Sequence, residues 1–281
     1  MAPLISVIGP VEPPLLRAFA RHYLALGVDR LLLGFHFPDD FPRQQEVELI
    51  GACGEFASPE IISRGAWRAD TNGRIRDELR HRAGDGWHVL ADVDEFQFHP
   101  ESIKVTIELA HSQDATTVEG LLFDRVTTSG VLEGWSKEIG LDDTYSLGGF
   151  FTHRVLRGDS RKIILARSNV ILGSGQHYSP AVAPVLASSP LPVHHFKWRS
   201  DVQTYMRNRA ESFANSNIAD EISMRDEALR LLSYLEGNQG RIDVRNPSLR
   251  FREVDLVSWP QDWHHEALEI QHYWRDTHWR T

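Results

Sequence analysis

Short apolar runs alternate with helical patterns along the first ninety residues. Brief runs dense in large apolar residues predict strands at Leu4–Ile8 and at residues 30–37, 60–63 and 87–91. Between them, apolar side chains recur at helical spacing, which predicts helices over residues 15–26, 44–56 and 70–82. This alternation predicts an α/β fold with a mainly parallel central sheet flanked by helices.

The rest of the chain has a less regular pattern. It predicts a helix at residues 101–111, a strand at 117–124, a loop over 126–149, a hairpin of 150–156 with 162–172, and a strand at 193–198. Two amphipathic helices are predicted at 201–215 and 220–236. We therefore expect one catalytic domain over 1–200 and a helical C-terminal extension over 201–281 packed on it. That extension contains Trp259, Trp263, Trp274 and Trp279.

Composition narrows the functional classes. The 281 residues carry a formal net charge of −9. This acidic charge argues against a nucleic-acid partner, because phosphate contacts need clustered cations. Cys53 is the single cysteine, so no disulfide or thiolate metal site can form within the chain. The sequence has neither a secretion signal at its start nor a membrane-spanning run, and these features predict a cytoplasmic protein.

The most informative chemistry follows the fourth predicted strand. Asp92 and Asp94 are spaced i and i+2, so in an extended segment both carboxylates would point to the same side. Ligands of wound α/β sheets bind beyond the carboxyl ends of the strands. Two hard oxygen ligands there suit Mg²⁺ or Mn²⁺ together with the phosphates of a nucleotide. A solvated acidic turn is the alternative.

Histidines and basic residues farther along the chain could complete such a site. His194, His195 and His177 are candidate metal ligands, and structural roles remain open for each. Arg76 and Lys197 could hold a phosphate, as could Arg74 and Lys162. The alternative for these cations is surface charge, and residues 74–82 are interpreted as a charged helix face.

A transfer reaction with inversion also needs a carboxylate that takes the proton of the acceptor. Asp124 is the preferred candidate, because it ends a predicted strand and strand ends are held more rigidly than loops. The neighbouring Arg125 should then point to the opposite face of the strand. Glu133, Asp142 and Asp143 in the adjoining loop are the alternatives.

Taken together, several segments resemble the family-2-like glycosyltransferases of the GT-A fold, in the group with an Asp-x-Asp-Glu-Phe motif. LADVDEF at 90–96 resembles the metal motif of that group, and His195-Phe196-Lys197-Trp198 resembles its late His-aromatic-basic segment. HYLALGVD at 22–29 and KIILARSNVILGSGQH at 162–177 add weaker likenesses. The resemblance covers roughly residues 4–200.

The resemblance implies a GT-A-like fold, a nucleotide-sugar donor, Mn²⁺ or Mg²⁺ as cofactor, and transfer with inversion. It implies Asp92 near nucleotide and metal, Asp94 as metal ligand, and His195 as third ligand. The acceptor, whether glycan, lipid-linked or small molecule, stays open. A sugar nucleotidyltransferase is one alternative. An inactive nucleotide-sugar-binding relative, with its tryptophan-rich end as a partner surface, is another.

Overall fold

The protein, described here as a computed structural model, is an α/β fold. The structure describes residues 2–135, 138–180, 184–186, 188 and 190–278, so Trp279 lies outside the described residues. The strands are β1 Leu4–Ile8, β2 Leu31–Phe37, β3 Ile61–Arg64, β4 Trp87–Leu90, β5 Glu95–Gln97, β6 Thr117–Val126, β7 Leu147–Gly149, β8 Arg161–Arg167, β9 Leu191–His195 and β10 Arg252–Glu253. The helices are α1 Pro13–Ala25, α2 Arg43–Cys53, α3 Thr71–Ala83, α4 Ile103–Ser112, α5 Leu141–Thr144, α6 Val202–Ser212, α7 Ala219–Gly237 and α8 Trp263–His278.

The chain forms two compact units. The first runs up to Gly120 and includes Lys162–Leu191. Its central sheet is mostly parallel: β3, β2, β1 and β4 run parallel in that order, and β8 pairs antiparallel with β4. Every residue of β1, β2 and β4 is buried, which explains why these strands are mostly apolar in the sequence, with Ser6, His36 and His88 as buried polar exceptions. The predicted α/β class with flanking helices is confirmed.

The second unit comprises Leu121–Arg161 and the chain from Pro192 onward. Here β7 pairs antiparallel with the end of β6, and β10 pairs antiparallel with β7. Helices α6 and α7 share a core with Val126, Phe151 and Trp198, so the predicted boundary near residue 200 falls inside this unit. That the catalytic function belongs to residues 1–200 stays a prediction.

The predicted hairpin is wrong in its first arm. Thr152–Leu156 is a π-helical turn rather than a strand, while the second arm is present as β8. A short apolar run cannot by itself distinguish a buried strand from a buried helical turn. Here the carboxylate of Asp124 accepts a hydrogen bond from the Thr152 amide, which satisfies a donor at the start of the turn.

Helix α3 lies unusually close to the sheet of the first unit. A Cβ at Gly34 of β2 would lie 2.5 Å from Cγ2 of Ile75, so only glycine allows this approach. Ile75 and Leu79 then pack into the apolar core of the unit with Ile5 and Leu90. Because of this close packing, Arg76 and Arg80, which follow Ile75 and Leu79 in the helix, also lie in the interior.

The interpretation of α3 as a solvated charged face is therefore wrong for Arg76 and Arg80, which are both buried. Arg80 donates to the carbonyls of Val170 and Arg167, each at 2.8 Å. Arg76 donates to the carbonyls of Leu172 and Gly173 at 3.3 and 3.1 Å. Two arginines spaced i and i+4 thus fasten the segment after β8 to α3.

Acidification is expected to weaken the first unit. Burial lowers the pKa of His22 to about 4, although a bond to the Gln97 carbonyl opposes this, and burial together with His22 lowers the pKa of His99 to about 3. Both are neutral when folded and titrate near 6.5 when unfolded, so the unfolded state binds more protons below that pH. The stability that the two neutral histidines contribute is fully present above about pH 6.5. It is lost as pH falls toward their pKa values in the folded state.

We expect the free energy of unfolding to fall by about 2 kcal/mol per histidine between pH 7 and pH 5, measured by urea unfolding. His99→Gln should flatten that dependence, whereas His265→Gln, at an exposed position, should leave it unchanged. Equal dependence in the His99→Gln and His265→Gln variants would contradict the assignment.

Among the residues that the structure describes, no helix is both long enough and apolar enough to span a membrane. The cytoplasmic location stays a prediction.

Candidate active site

The Asp92–Asp94 segment forms a turn directly after β4. The amide of Glu95 donates to the carbonyl of Asp92 at 3.0 Å, which closes a four-residue turn. The premise of an extended segment is therefore wrong, and strand alternation does not fix where the two carboxylates point. Asp92 and Asp94 are partly buried, whereas Val93 between them is buried.

Ion pairs with a buried lysine fix this turn. The ammonium of Lys162, on β8, lies 2.8 Å from a carboxylate oxygen of Asp92 and 2.8 Å from one of Glu95. Burial alone would lower the pKa of Lys162, but the charges and hydrogen bonds of Asp92 and Glu95 raise it above its usual value. Glu95, itself buried, also accepts a bond from the amide of Asp92 at 3.2 Å. Lys162 is therefore charged and holds Asp92 in place.

The same lysine connects the turn to a second loop. Its ammonium also donates to the carbonyl of Gly175 at 2.9 Å. Because Arg76 holds the carbonyls of Leu172 and Gly173, two buried cations fix the path of the loop from 172 to 176. This loop lies in the first unit with the Asp92 turn.

A cavity opens where these elements meet, within the first unit. It encloses about 40 Å³ that a water-sized molecule can reach, within about 340 Å³ of space that is partly open to solvent. Its wall combines β1, the start of α3, the end of β4 and the loop from 172 to 176. The lining residues are Ile5, Ser6, Val7, Asn72, Arg76, Ala91, Asp92, Gly175 and Gln176.

In the second unit, Asp124 lies at the centre of a buried hydrogen-bond cluster. Its carboxylate is fully buried and accepts from the amide and the hydroxyl of Thr152, each at 2.6 Å, and from the indole of Trp198 at 2.8 Å. Nδ1 of His195 lies 3.2 Å from the same carboxylate. A carboxylate that takes the N–H of one ring nitrogen orients the imidazole and leaves the other nitrogen as the basic one.

Arg125, the next residue, has a separate set of partners. It forms an ion pair with Asp142 and donates to the carbonyl of Tyr145, and its guanidinium lies 3.1 Å from Nδ1 of His194. Burial lowers the pKa of Arg125, opposed by the charge of Asp142. Asp142 and His194, two of the alternative candidates, thus share contacts with a buried cation in this unit.

Lys197 also has partners in the second unit. Its ammonium lies 3.2 Å from a carboxylate oxygen of Glu227 and 5.2 Å from the centre of the Trp198 ring. A role for Lys197 in nucleotide binding stays a prediction.

Four of the six predicted site residues therefore form two pairs. Asp92 and Arg76 line one cavity of the first unit, and Asp124 and His195 are in contact in the second. Across the described residues, no group of three or more His, Cys, Asp or Glu side chains is placed to hold a metal ion. The set of Asp92, Asp94 and His195 stays a prediction, as does the metal itself.

Two carboxylates still fit a hard divalent cation in chemical terms. Mg²⁺ is commonly held by one or two protein carboxylates, with substrate phosphates and water completing its octahedron. Asp92 and Asp94 would supply those oxygens. The fixed charge of Lys162 beside Asp92 reduces the negative charge available to the cation, so bound phosphates must contribute to its affinity.

Sequence reasoning missed three residues at this site. Glu95 belongs to the acidic motif, but its role as the buried partner of Lys162 depends on a contact between positions 67 residues apart. Ser6 and Gln176 line the cavity, yet each is an ordinary polar residue in the sequence. The signal that was available was a serine inside the apolar first strand.

Comparisons with known proteins show distant likeness only. No protein-family model matches the sequence, and a search of curated proteins finds no match. Among solved structures, the protein is similar to S. aureus TarS 1–349, at 13% identity over 88% of this chain and 76% of that chain, with a TM-score of 0.34.

Two further structures show the same level of likeness. S. aureus TarS 1–349 in complex with UDP-GlcNAc is 12% identical over 85% of this chain and 74% of that chain, with a TM-score of 0.37. UDP-glucose pyrophosphorylase complexed with UDP-glucose is 9% identical over 99% of this chain and all of the other, with a TM-score of 0.29. At these scores the likeness carries no argument about function.

Proposed function

We propose that the protein is a glycosyltransferase that binds a nucleotide-diphosphate sugar in the cavity beside Asp92. One observation carries the proposal: a carboxylate and a guanidinium, Asp92 and Arg76, line a single cavity beside β1 and the carboxyl end of β4. This is the edge at which wound α/β sheets bind nucleotides. A guanidinium suits phosphate oxygens, and a carboxylate suits the cation that accompanies them.

The resemblance of the Asp-x-Asp-Glu-Phe and His-Phe-Lys-Trp segments narrows the proposal from nucleotide binding to sugar transfer. In that reaction an acceptor hydroxyl oxygen bonds to the anomeric carbon as the bond from that carbon to the diphosphate oxygen breaks. The hydroxyl proton passes to a base, for which Asp124 is the predicted residue. Attack from the side opposite the leaving group gives inversion.

The chain's own residues would prepare this step in two ways. Lys162 holds Asp92 at the cavity, and Arg76 offers a fixed positive charge to the diphosphate. Bound Mn²⁺ or Mg²⁺, held by Asp92 and Asp94 with His195 as the predicted third ligand, would neutralise charge on the departing diphosphate. Lys197 is the further predicted phosphate contact.

A panel of nucleotide-sugars with Mn²⁺ tests the proposal directly. A donor present at about 100 times its dissociation constant should stabilise the protein by about 2.7 kcal/mol, visible as a rise in Tm. The stabilising donor is then incubated with glycan, lipid-linked and small-molecule acceptors, and sugar transfer is followed by mass spectrometry. Stabilisation by none of the donors would overturn the proposal.

Metal dependence gives the next prediction. Asp94→Ala should lower the affinity for a nucleoside diphosphate in Mn²⁺ by about 10- to 100-fold, because a ligand of the metal is lost. Calorimetry in Mn²⁺ and in chelator measures the effect, with Asp29→Ala at an exposed position as the control. Wild-type affinity that is equal in chelator and in Mn²⁺ would show that the site binds nucleotide without metal.

A further inference from the structure

One glutamine side chain joins the two ends of the acidic turn at residues 92–95. Gln97, the last residue of β5, is 1% exposed, and its side-chain amide donates to the carbonyl of Leu90, the last residue of β4, at 2.7 Å. Its side-chain oxygen lies 3.2 Å from Nε2 of the buried His99. Because the Leu90 carbonyl can only accept, the amide nitrogen faces Leu90 and the side-chain oxygen faces His99. This bond closes residues 91–96 into a loop.

A tyrosine of α1 holds the far side of the same turn. The hydroxyl of Tyr23, which is fully buried, donates to the carbonyl of Glu95 at 2.9 Å and accepts from the backbone amide of Gln97 at 3.4 Å. Burial and the charges of Glu95 and Asp92 raise the pKa of Tyr23, although the bond with Gln97 opposes this. The hydroxyl therefore stays protonated and remains a donor. Buried side chains thus hold the backbone on both sides of the acidic turn.

The acidic turn carries more negative charge than its lysine partner balances. Asp92, Asp94 and Glu95 place three carboxyl side chains within four residues. The ammonium of Lys162 pairs with two of them, at 2.8 Å each. Like charges this close in the chain repel one another, and before a cation binds this repulsion favours opening of the turn. Uncharged hydrogen bonds hold the backbone against the repulsion without adding a second positive charge that would compete with a bound metal ion.

We propose that Gln97 and Tyr23 are positioning residues, which hold the acidic turn in the arrangement that binds a divalent cation beside a nucleotide. This inference rests on the proposed function. Both side chains act through the backbone of the turn, because the described lining of the cavity includes neither of them. Mg²⁺ demands near-ideal octahedral geometry, so its ligands must be held within about 0.5 Å of their places. Replacing residues that orient metal ligands typically costs about 10- to 100-fold in metal affinity.

Three variants separate positioning from general stability. Gln97→Met keeps the length of the side chain but removes its hydrogen bonds, and Tyr23→Phe removes only the buried hydroxyl. Thr117→Val is the matched control, because it also removes a bond from a buried hydroxyl to a backbone carbonyl, that of Pro184 at 3.2 Å, within the same unit. All three variants should have a lower Tm than the wild type, since each loses a buried hydrogen bond.

Amide hydrogen exchange measures the turn itself. The amides of Asp92 and Glu95 are bonded within the turn, to the Glu95 carboxylate and to the Asp92 carbonyl. Relative to the amides of β1 in the same protein, both should exchange at least about tenfold faster in Gln97→Met and Tyr23→Phe than in the wild type. Thr117→Val should leave this ratio unchanged. The same ratio in all four proteins would overturn the inference, because the two side chains would then support the fold without fixing the turn.

Calorimetry with UDP, GDP, CDP and ADP, each in Mn²⁺ and in chelator, measures the consequence for binding. For the nucleotide that the wild type binds, the affinity in Mn²⁺ should fall about tenfold or more in Gln97→Met and Tyr23→Phe, whereas the affinity in chelator should change little. Wild-type affinity in Mn²⁺ in both variants would overturn the inference and leave the proposed function intact. Binding of no nucleotide by the wild-type protein would overturn the proposed function and the inference together.

Discussion

Replacing Lys162 by methionine is expected to lower the free energy of unfolding by about 3–5 kcal/mol, the usual cost of removing one partner from a buried ion pair. The side chain is buried against Asp92 and Glu95, each 2.8 Å away. Methionine fills much of the same volume but leaves Glu95, which is 2% exposed, as a buried carboxylate without its cation. It also removes the bond to the Gly175 carbonyl that holds the loop carrying Gln176.

The measurement is urea unfolding of the variant beside Lys104→Met. Lys104 is an exposed lysine on α4 whose ammonium lies 3.7 Å from Glu108, and its loss should change stability by less than about 0.5 kcal/mol. The Lys162→Met variant should become more stable relative to the wild type as pH falls, because protonation removes the buried negative charge of Glu95. Equal destabilisation by the two substitutions would show that the buried pair contributes nothing.

A double-mutant cycle separates the pair from the rest of the site. Adding Glu95→Gln to Lys162→Met removes the carboxylate charge that Lys162 balanced. The double variant should therefore lose less stability than the sum of the losses in the two single variants. Strict additivity would mean that Lys162 acts on the fold through Asp92 or the Gly175 carbonyl alone. In either case nucleotide affinity should fall, since the cavity wall depends on that loop.

The sequence predicted the parallel part of the fold closely. β1 was placed at its observed limits, and the predicted limits of β2, β3 and β4 lie within one residue of those observed. β1, β2 and β4 could be predicted because they are buried on both faces, so that each is a mostly apolar run between helical patterns, whereas β3 alternates between partly buried and exposed residues. The turn at Thr152–Leu156 and the strand β5 could not, since a short apolar run suits either structure and a three-residue strand has no pattern.

The sequence predicted the acidic residues of the candidate site but not the residues that contact them. Asp92 was recognised because it follows an apolar strand in an α/β pattern. Its contact with Lys162 joins residues 70 positions apart, and such a pairing leaves no periodic signal in one sequence. The burial of Arg76 depends on the close approach of α3 at Gly34, which becomes visible only once the helix and the sheet are packed.

If Asp124 is the base, Asp124→Asn should lower turnover by about 10²–10⁴-fold while donor and metal affinity are preserved. The contacts of Asp124 favour a different cause for a loss of turnover. The carboxylate is fully buried and faces four donors, one of which is Nδ1 of His195. A carboxylate in this position orients the imidazole and raises its basicity. Losing such a partner typically costs 10–100-fold in metal affinity or activity.

We therefore expect Asp124 to act by positioning His195, so that Asp124→Asn lowers Mn²⁺ affinity and turnover together. An asparagine also places an amide N–H₂ against the Thr152 amide or the donors on the other oxygen, which should cost about 1–3 kcal/mol of stability. Thr152→Val is the control, because it removes the hydroxyl bond to Asp124 but leaves the contact with His195. That variant should retain most of its Mn²⁺ affinity.

A second cycle, with His195→Ala, decides between the two roles. If Asp124 acts through His195, then Asp124→Asn should add little to the loss of turnover in a His195→Ala background, because the group it positions is already gone. If Asp124 takes the proton itself, its replacement should cost the full factor in either background. Turnover at the wild-type rate in Asp124→Asn would exclude both roles and move the search to Glu133 and Asp143. Asp142 is a weaker alternative, because its ion pair with the buried Arg125 already gives it a structural partner.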